Sequence, residues 1–229
     1  MRKVRLASMV GLLVLAGLLA SGCGQAKNEG SAGGSAPPSQ SSGGQAAGKS
    51  WSKAPEMKID QNKSYQAQVD TSKGSFTIDL FAKEAPITVN NFVFLAKENF
   101  YNGITFHRII KEFMVQTGDP LGTGAGGPGY TIKDERNMTH SKYDEGIVAM
   151  ARTRAPNSAG SQFFICTGPS CAGLNAQPDY AIFGKVSQGM DTVQKIASTP
   201  VKMAQGSPDQ TPSQPTEKVT INSVKIIEK

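Results

Sequence analysis

Residues 106–120 read FHRIIKEFMVQTGDP. The run is apolar except for a few polar residues, among them His107, Arg108 and Gln116, and it places no Ser, Cys or carboxylate as a nucleophile or metal ligand. What remains is hydrogen-bond chemistry. Arg108 offers an always-charged fork of five N–H donors, and Gln116 offers both an acceptor and a donor amide. The run is therefore either a core strand carrying a few polar passengers or a site whose chemistry needs no nucleophile. Taken singly, Phe113, Met114 and Phe164 would be core residues and Arg108 a solvated or ion-paired surface residue. Only their joint arrangement argues otherwise.

The elements that must position these residues follow from hydrophobic period. YQAQVDTSKGSFTIDLF alternates through Tyr65, Ala67 and Val69, then Phe76, Ile78 and Leu80, with TSKG as the turn of a β-hairpin. APITVNNFVFLAKENF has Val89, Phe92, Val93 and Ala96 at helical spacing, with Pro86 near its start and Asn102-Gly103 past its end. ITFHRII, FMVQTG, GIVAMAR, SQFFICT and YAIFGKV read as further strands, and GMDTVQKIAS as a second short helix. KVTINSVKII closes the chain as a strand whose alternation is interrupted near Asn222-Ser223. Many short strands with two lone helices exclude the regular βαβ rhythm and predict a mostly antiparallel β fold, a closed barrel or a sandwich. A closed barrel is filled with side chains, so any site is expected on its outer face.

The chain has 229 residues, 38% hydrophobic and 18% charged, with 25 Gly and 13 Pro. Its formal charge is +6, of which Arg2, Lys3 and Arg5 supply three, and the +3 that remains gives no argument for a nucleic-acid partner. MRKVR is a basic n-region, and LASMVGLLVLAGLLA is too short for a membrane span, which needs about 20 apolar residues. ASGCG follows. A Cys after small residues at the end of such a run resembles the lipobox of bacterial lipoproteins, although Ala20 stands where Leu is commoner. That resemblance implies a signal peptide over residues 1–22, a lipid attached to Cys23 and a placement outside the cytoplasm, anchored to the bacterial cell membrane. Residues 23–60 are expected to be a flexible, disordered Gly/Ser-rich tether, with the folded domain at 65–228.

Two nucleotide-binding patterns are dismissed on context. GGQAAGKS at 43–50 fits a phosphate-loop pattern but lies in the tether with no strand before it. GAGGPG at 124–129 fits a dinucleotide fingerprint but leads into YTIKDE, which has no helical period, and reads as a surface loop. No nucleotide, cofactor or metal is therefore expected; His107 and His140 are the only histidines, and no His/Cys cluster has metal spacing. Cys166 is expected to act as a small buried hydrophobe, with a disulfide to Cys171 the less favoured alternative because so short a loop demands special geometry.

FHRIIKEFMVQTGDP, GTGAGGPGY, GIVAMAR, NSAGSQFFICT and YAIFGKVSQGMDTV occur in the order and approximate spacing of the cyclophilin family of peptidyl-prolyl cis-trans isomerases. The resemblance spans about Tyr65 to Glu228. It implies an eight-stranded antiparallel barrel capped by two helices, and an enzyme that accelerates rotation about X–Pro bonds, here in exported proteins, so that its partners are proline-containing polypeptides. The alternative is a proline-segment binding module or chaperone with little turnover. By resemblance, Arg108 is the catalytic donor and Gln116 orients it and the substrate carbonyl. Phe113, Met114, Phe164 and Leu174 receive the proline ring. Ala151 and the backbone of Arg152 bind the residues before proline, supported by Gln162; the family more often has Asn in place of Arg152. His107 precedes Arg108 on a strand, so it should face the other way and be structural. Many members carry a Trp where Gly173 stands and a His where Tyr180 stands. Weak binding of the inhibitor cyclosporin follows from the missing indole, and the Tyr180 hydroxyl is a candidate replacement donor.

Overall fold

A computed structural model describes residues 49–135, 142–204, 206 and 209–229. The expected signal peptide at 1–22, Cys23, most of the expected tether and His140 lie outside the described residues.

The N-terminal hairpin forms as its alternation requires. Strand β1 (Tyr65–Thr71) pairs with β2 (Gly74–Leu80) from Tyr65↔Leu80 to Thr71↔Gly74. Helix α1 (Pro86–Lys97) follows with Pro at its first turn, where the missing N–H costs nothing. The free N–H groups of Ile87 and Thr88 at that turn donate to the Glu135 carboxylate at 2.9 and 2.7 Å. Then come β3 (Arg108–Ile110), β4 (Met114–Thr117), β5 (Ile147–Met150), β6 (Phe163–Cys166) and β7 (Ile182–Gln188). Helix α2 (Met190–Ala197), two short strands β8 (Val201–Lys202) and β9 (Gln214–Pro215), and β10 (Ile221–Glu228) complete the order. The expected interruption of the last strand is real. Asp70 pairs with Ser223 and Thr71 with Ile221, so Asn222 is the extra residue of a β-bulge.

Eight strands make one antiparallel sheet in the order β10-β1-β2-β7-β5-β6-β4-β3. The expected closed barrel is corrected here: the sheet curls, but its edge strands β3 and β10 form no ladder with each other. Among the described residues the seam is bridged just before β3. There Phe106 N–H donates to Val219 O at 2.9 Å, and Ile221 N–H donates to Ile104 O at 2.8 Å. Along β3 the edge is covered instead by the β8–β9 segment, whose Ser213 carbonyl accepts the Ile109 N–H at 2.8 Å. β3 is also shorter than expected, because His107 and the residues before it lie outside the ladder.

Period-two alternation splits the side chains between two apolar layers. Ile109, Val115, Val148, Met150, Phe163 and Ile165 point inward to the main core with α1. Met114, Ala149, Phe164, Cys166 and Ile182 form a second layer on the outer face. Trp51, which the sequence assigns to the tether, stacks edge-on against Phe94 at 5.1 Å between ring centroids. Lys58 N–H donates to the Asn90 side chain at 2.8 Å. The described part of the tether region, from Trp51 to Ile59, therefore packs on α1.

Candidate functional site

The outer face of the sheet carries the residues singled out above. Register across β3, β4 and β6 sets Arg108 opposite Gln116, and Gln116 opposite Phe164. Met114 lies two residues before Gln116, on the same side of β4. The tight β3–β4 connection, with Glu112 at φ 63°, presents Phe113 to the same layer.

Met114 and Phe164 are buried at 1% and 5% exposure, while Phe113, Ala151, Leu174 and Tyr180 are partly buried against them. Leu174 comes from a 3₁₀ helix, Pro169–Ala176, that the sequence reading did not foresee. Tyr180 sets its ring edge-on to Phe164 at 5.3 Å. The Tyr180 backbone is fixed by Tyr143, whose hydroxyl donates to Tyr180 O at 2.6 Å and accepts its N–H at 3.0 Å. Burial pushes the Tyr143 phenol up to about 12, so it remains a neutral donor. Tyr143 was missed at the sequence level, since a lone Tyr before GIVAMAR carries no motif.

The disulfide is the second correction. Cys166 and Cys171 are bonded, with Cα atoms 5.7 Å apart, within the usual range for a bridge. The turn into the 3₁₀ helix supplies the sharp geometry that made the pairing the less favoured expectation. Both cysteines are fully buried beneath the apolar patch.

A polar relay borders the patch. Arg108 Nη1 donates to Gln116 Oε1 at 3.1 Å, and Gln116 Nε2 donates to Gln162 Oε1 at 3.0 Å. Gln162 Nε2 donates to the carbonyls of Gly124 and Gly126 at 3.0 and 2.9 Å. Each link fixes the amide orientation of the next, because an amide end that accepts leaves its other end to donate. On its other side the Arg108 guanidinium meets Asp209, with Nε to Oδ2 at 2.8 Å and Nη2 to Oδ1 at 2.6 Å. Asp209 lies in the β8–β9 connection, QGSPDQTP, and nothing in its local sequence marks it.

The Gly124–Gly129 segment lines a cleft of about 400 Å³ together with Gln116, Ala151, Arg152 and Gln162. Asp119 shapes this loop, accepting the N–H groups of Leu121 at 2.7 Å and Thr123 at 2.9 Å, and that of Gly124. Burial pushes the Asp119 carboxyl up, but the N–H donors of Leu121, Gly126 and Gly124 outweigh it and hold it below the usual range. A Cβ on Gly126 would lie 2.0 Å from Asp119 Oδ1, so only Gly fits there. The Arg152 guanidinium donates to Ala155 O at 2.9 Å beside the Asp134 carboxylate. Its charge is thus engaged by the loops that border the cleft.

His107 lies apart from the apolar patch. Its ring is close to Gly124, and both of its nitrogens are buried. Burial depresses its pKa, opposed by the Asp119 carboxylate and reinforced by the Arg108 charge. Among the described residues no group of His, Cys, Asp and Glu is arranged to hold a metal ion.

A family model described as cyclophilin type peptidyl-prolyl cis-trans isomerase matches residues 66–226. The chain is 42% identical over 138 residues to a peptidyl-prolyl cis-trans isomerase of Helicobacter pylori, covering 58% of this chain and 81% of that one. It is 46% identical over 130 residues to peptidyl-prolyl cis-trans isomerase-like 1 of Aspergillus niger, covering 56% and 78%. A cyclophilin type isomerase of Cryptosporidium parvum superposes with a TM-score of 0.63 at 32% identity, over 72% of this chain and 98% of that one. A second structure of the same protein, determined in the presence of the dipeptide Ala-Pro, superposes with a TM-score of 0.62.

Proposed function

We propose, since the chain belongs to the cyclophilin-type peptidyl-prolyl cis-trans isomerase family and is an isomerase of that type, that Arg108 is the donor that lowers the rotational barrier. Rotation about an X–Pro bond meets a barrier of about 18–20 kcal/mol because resonance gives C–N partial double-bond character. At the twisted geometry that resonance is lost, the proline nitrogen becomes pyramidal and it regains a lone pair. A fixed N–H donor aimed there binds the twisted state and finds nothing to bind in the planar one. No bond to the protein forms, so no nucleophile is required.

The observation that carries this reading is the Arg108 guanidinium held by the Gln116 link at the border of the patch of Phe113, Met114, Phe164, Leu174 and Tyr180. The patch takes the proline ring and excludes water beside the donor. The cleft beyond Gln116 takes the residues before proline along Ala151 and the Arg152 backbone, with Gln162 bracing its wall. A charge-assisted hydrogen bond contributes about 1.5–3 kcal/mol. Moving a tens-of-seconds isomerisation into milliseconds needs about four decades, or ~5.5 kcal/mol. The remainder comes from the dry patch and from holding the flanking peptide while one end turns. Exchange spectroscopy on an Ala-Pro peptide tests the assignment: Arg108→Ala should lose most of the acceleration while still binding peptide. Equal acceleration in both proteins would overturn it, and line shifts without accelerated exchange in the wild type would mark a binding module.

The client polypeptides are exported proteins, and the enzyme stands outside the cytoplasm on a lipid attached to Cys23. The basic, apolar and small-residue order of the first 23 residues supports this, as does a disulfide at Cys166–Cys171, since such bonds persist in oxidising compartments. Mass spectrometry of the mature protein should find Cys23 as the first residue with a diacylglyceryl group. An intact Met1, or an unmodified Cys23, would overturn the placement.

A further inference from the structure

We infer that Asp209 is a positioning residue for the isomerase reaction, acting through Arg108; the inference rests on the proposed donor role of Arg108. The carboxylate grips the guanidinium side-on through two short bonds, Nε to Oδ2 at 2.8 Å and Nη2 to Oδ1 at 2.6 Å. Paired, parallel bonds of this kind fix the plane of the guanidinium as well as its place. The Asp209 side chain is 9% exposed and that of Arg108 33%, so the clamp is mostly shielded while part of the fork still meets solvent.

Counting donors shows what the clamp leaves for substrate. Arg108 has five N–H groups. Asp209 takes one on Nε and one on Nη2, and Gln116 takes one on Nη1, which also lies 3.9 Å from the Met114 sulfur. Among the described residues one N–H on Nη2 remains, and the second on Nη1 meets only the weak acceptor sulfur of Met114. Asp209 and Gln116 thus hold the guanidinium from two sides and leave its outer end as the donor. Without Asp209 the long side chain would keep, among the described residues, the Gln116 link and the weak Met114 sulfur contact, both on Nη1, and its plane could turn about the Cδ–Nε axis away from the patch. Productive orientation would then be a minor population.

Asp209 is delivered by a segment anchored to the same strand as Arg108. Ile109 N–H donates to Ser213 O at 2.8 Å, and Ser213 N–H donates to Lys202 O at 3.1 Å, closing the β8–β9 ladder beside β3. The clamp and the donor are therefore set by a common frame, and the open edge of the sheet is where that frame attaches.

The test measures exchange rates and peptide affinity for wild type, Asp209→Ala, Asp209→Asn, Arg108→Ala and the Arg108→Ala/Asp209→Ala double variant, each checked for native near-ultraviolet circular dichroism. Asp209→Ala should lower kcat by about tenfold or more with KM changed less than about twofold, the loss of an oriented charge-assisted pair. Asp209→Asn, which keeps the shape and one acceptor oxygen, should recover part of that loss. On the Arg108→Ala background, Asp209→Ala should cause no further loss. An unchanged or faster Asp209→Ala enzyme, or an equal loss in both backgrounds, would overturn the inference. A fully active Arg108→Ala enzyme would instead remove the reading beneath it.

Discussion

The side-chain amide of Gln116 donates to the side-chain oxygen of Gln162 across 3.0 Å, and that single bond joins two parts of the site with different origins. On one side are the strand pair β3–β4 and Arg108; on the other is the glycine loop held by Gln162 and shaped by Asp119. The cleft proposed for the residues before proline and the proposed donor for the proline nitrogen are thereby mechanically connected. Neither amide can flip without breaking bonds on both its ends, so the orientation of Arg108 depends on a loop that does not touch it.

Cutting the relay at Gln162 should therefore be felt at Arg108. Gln162→Ala removes the acceptor for Gln116 and both bonds to the loop carbonyls. We expect kcat/KM to fall about 5–10-fold, the scale of one or two net hydrogen bonds, while thermal stability changes little because the side chain is partly exposed. Gln162→Glu keeps the acceptor for Gln116 but loses the donors to Gly124 and Gly126, and should lie between the two. Steady-state assays on the three proteins check the order.

The wall at Gly173 is open. A Cβ built there meets nothing within 4 Å, and the residue is exposed at the 3₁₀ helix beside Leu174. Gly173→Trp should fold normally, extend the apolar wall and add an indole N–H donor. The wild type is expected to bind cyclosporin weakly, and the variant at least about tenfold more tightly if it buries a fraction of a Trp and gains one hydrogen bond. Titration calorimetry of both proteins would show it, and equal affinity would mean that the wall does not reach the ligand.

His107 should give the fold an acid-sensitive component that sets in as pH falls below the ordinary histidine value of 6.5. Its burial holds the folded-state pKa below the ordinary 6.5, so the unfolded chain takes up the proton first as pH falls. The stability associated with the neutral ring is fully present above about 6.5 and is lost as pH falls through the lower folded-state value. Denaturant unfolding at pH 8 and pH 5 should show a decline in wild type that is smaller in His107→Gln. Identical slopes would exclude His107 as the source.

The Cys166–Cys171 bond closes a loop with a sequence separation of only 5. Constraint of so short a loop in the unfolded chain is worth about 2 kcal/mol in the chain-entropy account. Reduction should lower stability by that order and raise KM more than it lowers kcat, because the bond holds β6 against the 3₁₀ helix that carries Leu174. Unfolding and peptide titration with and without reductant, alongside a Cys166→Ala/Cys171→Ala variant, check both effects.

Much of the architecture is local and was legible in residue order. The β1–β2 hairpin follows from alternation around TSKG, and α1 from a helical stripe behind Pro86. The bulge at Asn222 follows from a break in alternation. The motif blocks around Arg108 and Phe164 likewise named most of the outer-face residues. What alternation leaves open is whether a curled sheet closes, because that depends on how its two edge strands meet. Here a short β8–β9 segment covers β3, and the ladder between β3 and β10 does not form.

By itself the sequence determined the face each strand residue takes, the residues able to donate and receive, and the chemistry they permit, since period and residue type are local properties. Tertiary structure alone decided that Cys166 turns back to Cys171, that Tyr143 pins Tyr180, and that Asp209 reaches Arg108. The last two are contacts between residues 37 and 101 positions apart in the chain. No spacing rule connects such positions; only the packing of loops on a common sheet brings them together.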